Sequence, residues 1–222
     1  NTINAYPESD DLLKESNIWN GFPNRDIFSY GISKRVSLAQ SLAYFLQYDF
    51  SSINLILDNT YGPYDNFNPN DSRVIPALIH KFHNAKIKKE KKVICWGSGN
   101  PLREFLYVDD LAEACICVLR NWDLNSSNTI WNNSSNKPYW LNVGSGQEIS
   151  IKKLAETISD LSGYEGEILW DKTKPDGTPR KILDTSRMRK LGWESKIDLD
   201  LGIKLTLKAY YDEIKRDTLR NV

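Results

Sequence analysis

The stretch "INLILDN" at residues 53–59 is a nearly continuous apolar run of strand length that empties into "YGP". Without polar alternation, such a run describes a strand covered on both faces, as in a parallel sheet flanked by helices. Upstream, residues 27–49 place Val36, Leu38, Ala39, Leu42, Phe45 and Leu46 at three- and four-residue spacing, the pattern of an amphipathic helix. Downstream, "YGPYDNFNPNDSR" predicts a long loop and "VIPALIHKFHNA" a helix. "KKVICWGSG" predicts a strand and turn, and "FLYVDDLAEACICVLRNW" a short strand running into a helix capped by Asp109, with Leu111, Cys115, Val118 and Trp122 on one face. "NSSNTIWNNSSNKP" is polar and of low complexity, a surface loop. "YWLNVGSGQEISIKKLAETISDL" predicts strand, glycine turn and a helix capped by Ser150 with Ile151, Leu154, Ile158 and Leu161 inward. "KPDGTPRKILD" is an extended loop, and a helix from about Leu199 to Arg216 closes the chain. This alternation assigns the α/β class.

The partner class follows from charge. With 29 basic and 29 acidic residues the net charge is zero, which argues against broad nucleic-acid or membrane-surface binding and leaves a small molecule. The 40% hydrophobic content of 222 residues suits a real core, and no apolar run reaches membrane-span length. Cys95, Cys115 and Cys117 form no metal-ligand spacing with His80 and His83; an odd count of cysteines on apolar elements predicts reduced thiols and a cytoplasmic location. No metal is expected. The opening "NTINAYPESD" has neither a start residue nor a structural lead-in and reads as the beginning of a fragment.

Two turns, "GSGNPL" at 97 and "GSGQEI" at 144, lack the third glycine of a dinucleotide fingerprint and are read as tight strand-to-helix turns. The short "KIKKEKK" at 86–92 contains a glutamate and is read as a solvated helix end. Tyr30 and Lys34, one turn apart at the start of the first helix, are by themselves an ordinary surface pair. They also suit proton transfer. A phenol titrates near ~10 and becomes a usable acid at neutral pH when a neighbouring cation stabilises its phenolate. A third group, a hydroxyl, must hold the substrate oxygen; Thr2 is the candidate.

A hydroxyl, then Tyr-x-x-x-Lys on a helix, then a strand ending "DNTYGP", then "REFLYVDDLAEA" at 103–114, resembles the extended short-chain dehydrogenase/reductase family. "YGPYDNF", "VIPALIHKFH", "WGSGNPLREFLYVDD", "LNVGSG" and "KPDGTPRKILD" are similar to successive segments of its GDP-L-fucose synthase branch. The resemblance implies the C-terminal part of a doubly wound, Rossmann-like parallel sheet plus a smaller α/β substrate-binding domain. Residues 1–62 would be the remainder of the NADP-binding domain and 63–222 mainly the nucleotide-sugar domain, with 104–145 partly returning to the first. The glycine-rich βαβ half would be missing.

The resemblance also implies the chemistry: NADPH as cofactor, a GDP-linked 4-keto sugar as substrate, and a homodimer through the Tyr30 helix. Tyr30, Lys34 and Thr2 would be catalytic, with Tyr30, Lys34 and Asn59 at the cofactor. Asn59, Lys81, Trp96, Arg103 and Lys174 would meet the substrate. Arginine suits a diphosphate by its bidentate fork, Lys81 reads equally well as a solvated helix lysine, and Trp96 either stacks on a base or packs. The branch's cysteine and histidine, which shuttle protons in epimerisation, align with Asn4 and Arg73, and neither can serve as an acid or base near neutrality. Leu57 replaces a proline on the nicotinamide side. The expected activity is reduction of the 4-keto group without epimerisation; the alternatives are a bifunctional epimerase and reductase, and a non-catalytic remnant that binds nucleotide sugar or an intact paralogue.

Overall fold

The computed structural model describes residues 1–122 and 139–219; the loop expected at 125–138 lies outside them. After short 3₁₀ turns at Ile3–Ala5, Glu15–Trp19 and Arg25–Ile27 come α1 (Phe28–Tyr48), β1 (Asn54–Leu57), β2 (Asn59–Tyr61), α2 (Val74–Ile87), β3 (Lys92–Trp96), β4 (Leu102–Tyr107) and α3 (Val108–Asn121). They are followed by β5 (Trp140–Val143), β6 (Glu148–Ser150), α4 (Ile151–Ser162), β7 (Glu167–Asp171), β8 (Arg180–Lys181), α5 (Ser186–Lys190) and α6 (Leu199–Arg216). The alternation is that of an α/β chain.

Parallel pairing dominates. β1 lies along β5 in the register Ile56↔Asn142, and Thr2 bridges to Leu57 on the opposite edge of β1. β2 continues the same line of chain into a second sheet, pairing parallel with β4, which also pairs antiparallel with β6 and parallel with β8. β3 and β7 form a third, parallel pair. The point where β1 hands over to β2, at Asp58, is therefore where two sheets meet.

Three apolar clusters hold these sheets. One joins α2, α4 and α6 over β3 and β4, with Phe82, Ile158 and Ile203 fully buried; each such side chain contributes about 1.5–3 kcal/mol. A second gathers Ile3, Tyr6, Ile18, Leu38 and Ile56, and a third packs Val118 of α3 and Val143 of β5 against Met188 of α5.

Three local expectations change. The helix α3 begins at Val108 after Tyr107, so Asp109 lies inside its first turn and does not cap it. Asp110 beside it is buried and accepts from the Lys196 and Ile197 amides, tying α3 to the approach to α6. Both Gly-x-Gly turns join strand to strand, β3 to β4 and β5 to β6, with Gly97 and Gly146 in the left-handed region; neither presents a helix N-terminus. Finally, α1 buries only Gly31, Arg35 and Leu38, leaving Val36 and Leu46 exposed. Its contacts follow one narrow stripe against the 3₁₀ turns at residues 3–5 and 25–27. The Ser150 cap forms as expected, its hydroxyl accepting from the Lys153 amide.

Candidate functional site

Tyr30 sits in the first turn of α1, and the next residue explains how close that turn comes to the chain's beginning. A Cβ at Gly31 would lie 2.6 Å from the Asn4 carbonyl oxygen and 2.6 Å from Pro23 Cβ, so only glycine permits this approach. Thr2, with its extended backbone, caps the 3₁₀ turn at Ile3–Ala5 by accepting from the Asn4 amide at 3.4 Å. Tyr30, Thr2 and Asn4 consequently line one cavity of about 150 Å³, closed on the other side by Leu57, Asp58 and Asn59. Arg73, at the N-terminus of α2, completes the rim. The Lys34 ammonium lies 5.2 Å from the centroid of the Tyr30 ring, within the range in which a cation is attracted to an aromatic face.

Beneath the cavity lies a cluster of charges that sequence reading passed over. Asp58 Oδ1 accepts from the Asn59 amide at 2.7 Å and from Asn59 Nδ2 at 2.8 Å. Asn59 Nδ2 also donates to the Glu104 carbonyl at 3.1 Å. The Glu104 side chain is fully buried and accepts from the Gly146 amide at 2.5 Å and the Leu183 amide at 3.0 Å. Burial first, and then the neighbouring Glu104, push the Asp58 carboxyl well above the usual carboxylate range; burial also raises Glu104. Arg103 and Lys181 face Asp58, and burial lowers both cations. Lys181 Nζ donates to Asn4 Oδ1 at 2.8 Å, so the Asn4 amide oxygen is already engaged.

The remaining expected residues gather elsewhere. Trp96, at the end of β3, is 71% exposed and so does not pack; Lys174 Nζ stands 5.5 Å over its ring. Arg103, on β4, approaches Gly177 and the Asp176 carboxylate, which binds the Ser98 amide and hydroxyl. These residues line the side of the molecule where the 97–99 turn meets the 174–178 loop. Lys81 Nζ donates to the Ile94 carbonyl at 2.9 Å, two residues before Trp96 on β3. The hollow of about 700 Å³ beside Trp193 and that of about 480 Å³ beside Tyr164 are larger than the Tyr30 cavity, but neither brings a phenol, a hydroxyl and an amide together.

Asp58, Glu104, Asp176 and Lys181 all lie within segments that sequence reading quoted as motifs, "DNTYGP", "REFLYVDD" and "KPDGTPRKILD". The available signal was a carboxylate closing an apolar strand at Asp58. Its meeting with Glu104 carries no local signature.

The NAD dependent epimerase/dehydratase family matches residues 2–133. The chain is 41% identical over 185 residues to the probable GDP-L-fucose synthase 1 of Oryza sativa subsp. japonica, covering 83% of this chain and 52% of that protein. It spans about half the length of the curated relatives it matches. Among solved structures, a GDP-6-OMe-4-keto-L-xylo-heptose reductase from C. jejuni superposes with TM-score 0.87 at 30% identity, covering 96% of this chain and 69% of that one. A GDP-mannoheptose C4 reductase from Campylobacter jejuni, solved with NADP bound, gives TM-score 0.81 at 30% identity, with coverage of 95% and 68%.

Proposed function

We propose, from the premise that this chain belongs to the NAD dependent epimerase/dehydratase family, that it carries the catalytic and sugar-binding part of an NADPH-dependent reductase. Its substrate is the 4-keto group of a GDP-linked sugar, and it does not epimerise that sugar. One observation carries the reading: Tyr30 and Thr2 share a cavity, and the Lys34 ammonium lies 5.2 Å from the Tyr30 ring.

The residues around the cavity fit the nicotinamide end of the cofactor. Leu57 offers an apolar wall and Asn59 an amide; Lys34, beside the Tyr30 ring, carries N–H donors suited to ribose hydroxyls. At about 150 Å³ the cavity takes one ring-sized fragment, below the ~300–1,000 Å³ of a whole-ligand cleft. When bound, NADPH supplies the hydride to the carbonyl carbon. The Tyr30 O–H bond then breaks and its proton passes to the carbonyl oxygen, leaving a phenolate that the Lys34 charge stabilises. Such a positioned acid contributes about 10²–10⁴-fold. The Thr2 hydroxyl donates to the same oxygen and holds it in place. Epimerisation needs a proton removed from carbon; a carboxamide such as Asn4 and a guanidinium such as Arg73 offer no general base for it, so neither performs it.

On this reading Arg103 clamps the diphosphate, while Trp96, exposed and paired with Lys174, offers a face for the base. Residues 1–62 with part of 104–145 belong to the cofactor half. The outward apolar side chains of α1, among them Val36, Leu46 and Tyr48, support a homodimer through that helix. The free thiols Cys95, Cys115 and Cys117 support a cytoplasmic location. The test is to titrate full-length protein with GDP-4-keto-6-deoxymannose and NADPH in heavy water. Loss of nicotinamide absorbance with no solvent deuterium at C3 or C5 is expected. Unchanged absorbance overturns the reductase, and deuterium at either carbon overturns the claim that epimerisation is lost.

A further inference from the structure

We propose that Asp58 and Glu104 hold one proton between them, and that this pair is a positioning device that turns the Asn59 carboxamide oxygen into the cavity, where it accepts from a hydroxyl of the sugar. The inference rests on the reductase reading for the identity of the ligand, but not for the existence of the pair.

The argument starts from donors and acceptors. Glu104 collects N–H donors from Gly146 and Leu183, with the Ser145 hydroxyl at 3.5 Å, which is the surrounding of an ionised carboxylate. Asp58 Oδ1 accepts twice from Asn59, while Asp58 Oδ2 is buried and receives no hydrogen bond from an N–H or hydroxyl group among the described residues. The side chain that meets Asp58 is that of Glu104. Two carboxylates cannot bond to each other, but an acid and a carboxylate can, and the donor count puts the acid on Asp58. Besides Glu104, Arg103 of β4 and Lys181 of β8 face Asp58, both depressed by burial, and Arg73 and the Asn1 amino group share the cavity wall with it.

The consequence falls on Asn59. Its Nδ2 donates both hydrogens, one to Asp58 Oδ1 and one to the Glu104 carbonyl. Because both partners are acceptors, the reverse orientation of the amide would place oxygen against oxygen. The cavity therefore sees Oδ1, an acceptor that takes a hydroxyl and rejects a group without a hydrogen to donate. Asp58 acts through Asn59 and touches no reacting atom.

Isosteric Asp58→Asn separates this arrangement from an ion pair, because its amide keeps an acceptor for Asn59 and a donor for Glu104 without a titratable proton. The KM for the GDP-linked 4-keto sugar in Asp58→Asn is expected within about twofold of wild type at low and neutral pH. It should also lack the rise in KM that wild type shows as the pair loses its shared proton. Asp58→Ala should raise KM about tenfold, the worth of one hydrogen bond near 1.4 kcal/mol, with kcat little changed. If Asp58→Asn is as impaired as Asp58→Ala at every pH, Asp58 is an anion paired with Arg103 and Lys181, and the proposal falls.

Thermal unfolding against pH tests the pair without substrate, so failure of the reductase reading leaves it decidable. A carboxyl raised in the folded state contributes stability below its ordinary value near ~4, and that stability is lost as pH rises through the raised value. Wild type should show a steeper loss than Asp58→Asn, in which the burial that raises Glu104 and Glu15 remains. Parallel curves for the two proteins overturn the shared proton.

Discussion

Replacing Gly31 by alanine probes the approach on which the whole cavity depends. The added Cβ would stand 2.6 Å from the Asn4 carbonyl oxygen, 2.6 Å from Pro23 Cβ and 2.8 Å from Pro23 Cγ. Ordinary carbon contacts begin near ~3.5 Å, so α1 must retreat by roughly 1 Å; a backbone oxygen and a proline ring cannot bend away as a long side chain would. Overpacking of this kind costs about 1–3 kcal/mol. Alanine returns at most about 1 kcal/mol of helix propensity. The rigid neighbours place the steric cost at the upper end, and a net loss of about 1–2 kcal/mol is expected in urea unfolding, read as a lower midpoint at unchanged slope. The retreat also separates Tyr30 from Thr2, and a misplacement of about 1 Å costs on the order of 10²-fold in rate. Equal or higher stability together with wild-type kcat would refute the argument that Gly31 sets the distance between the phenol and the hydroxyl.

Tyr30→Phe removes the proposed acid from a side chain that is 43% exposed; kcat should fall at least about 10²-fold with the unfolding midpoint unchanged, and retention of kcat would remove Tyr30 from the chemistry. Asp110→Ala strands the Lys196 and Ile197 amides that the buried carboxylate now accepts from, so calorimetry should find a loss of about 2–3 kcal/mol. Burial holds His80 and His83 below the usual imidazole range. Their contribution to stability is therefore present above ~6.5 and lost as pH falls through the depressed values. His80→Gln should flatten that acid limb in a melting-temperature series.

Local pattern made much of this chain legible. The continuous apolar run of β1, the inward face of α4 with its Ser150 cap, and the span of α6 all follow from an unbroken apolar run or from repeats of three to four residues that neighbouring residues supply. The face of α1 was less legible: an apolar stripe does not say what covers it, and Val36 and Leu46 are exposed where the pattern placed them inward. Asp109 suits a cap by type and position, yet the helix starts at Val108, two residues before such a cap would start it, because Tyr107 ends β4 and the chain turns directly into α3.

By itself, the sequence determined the α/β alternation and the one-turn spacing of Tyr30 and Lys34, since each is set by residues near in the chain. Tertiary structure alone decided that Lys181 reaches Asn4 across 177 positions and that Asn59, bonded to Asp58, also meets Glu104 45 positions away. Burial and the sharing of a proton arise only when separate strands meet, because a carboxyl's affinity for its proton depends on the water it has lost and on the charges brought beside it.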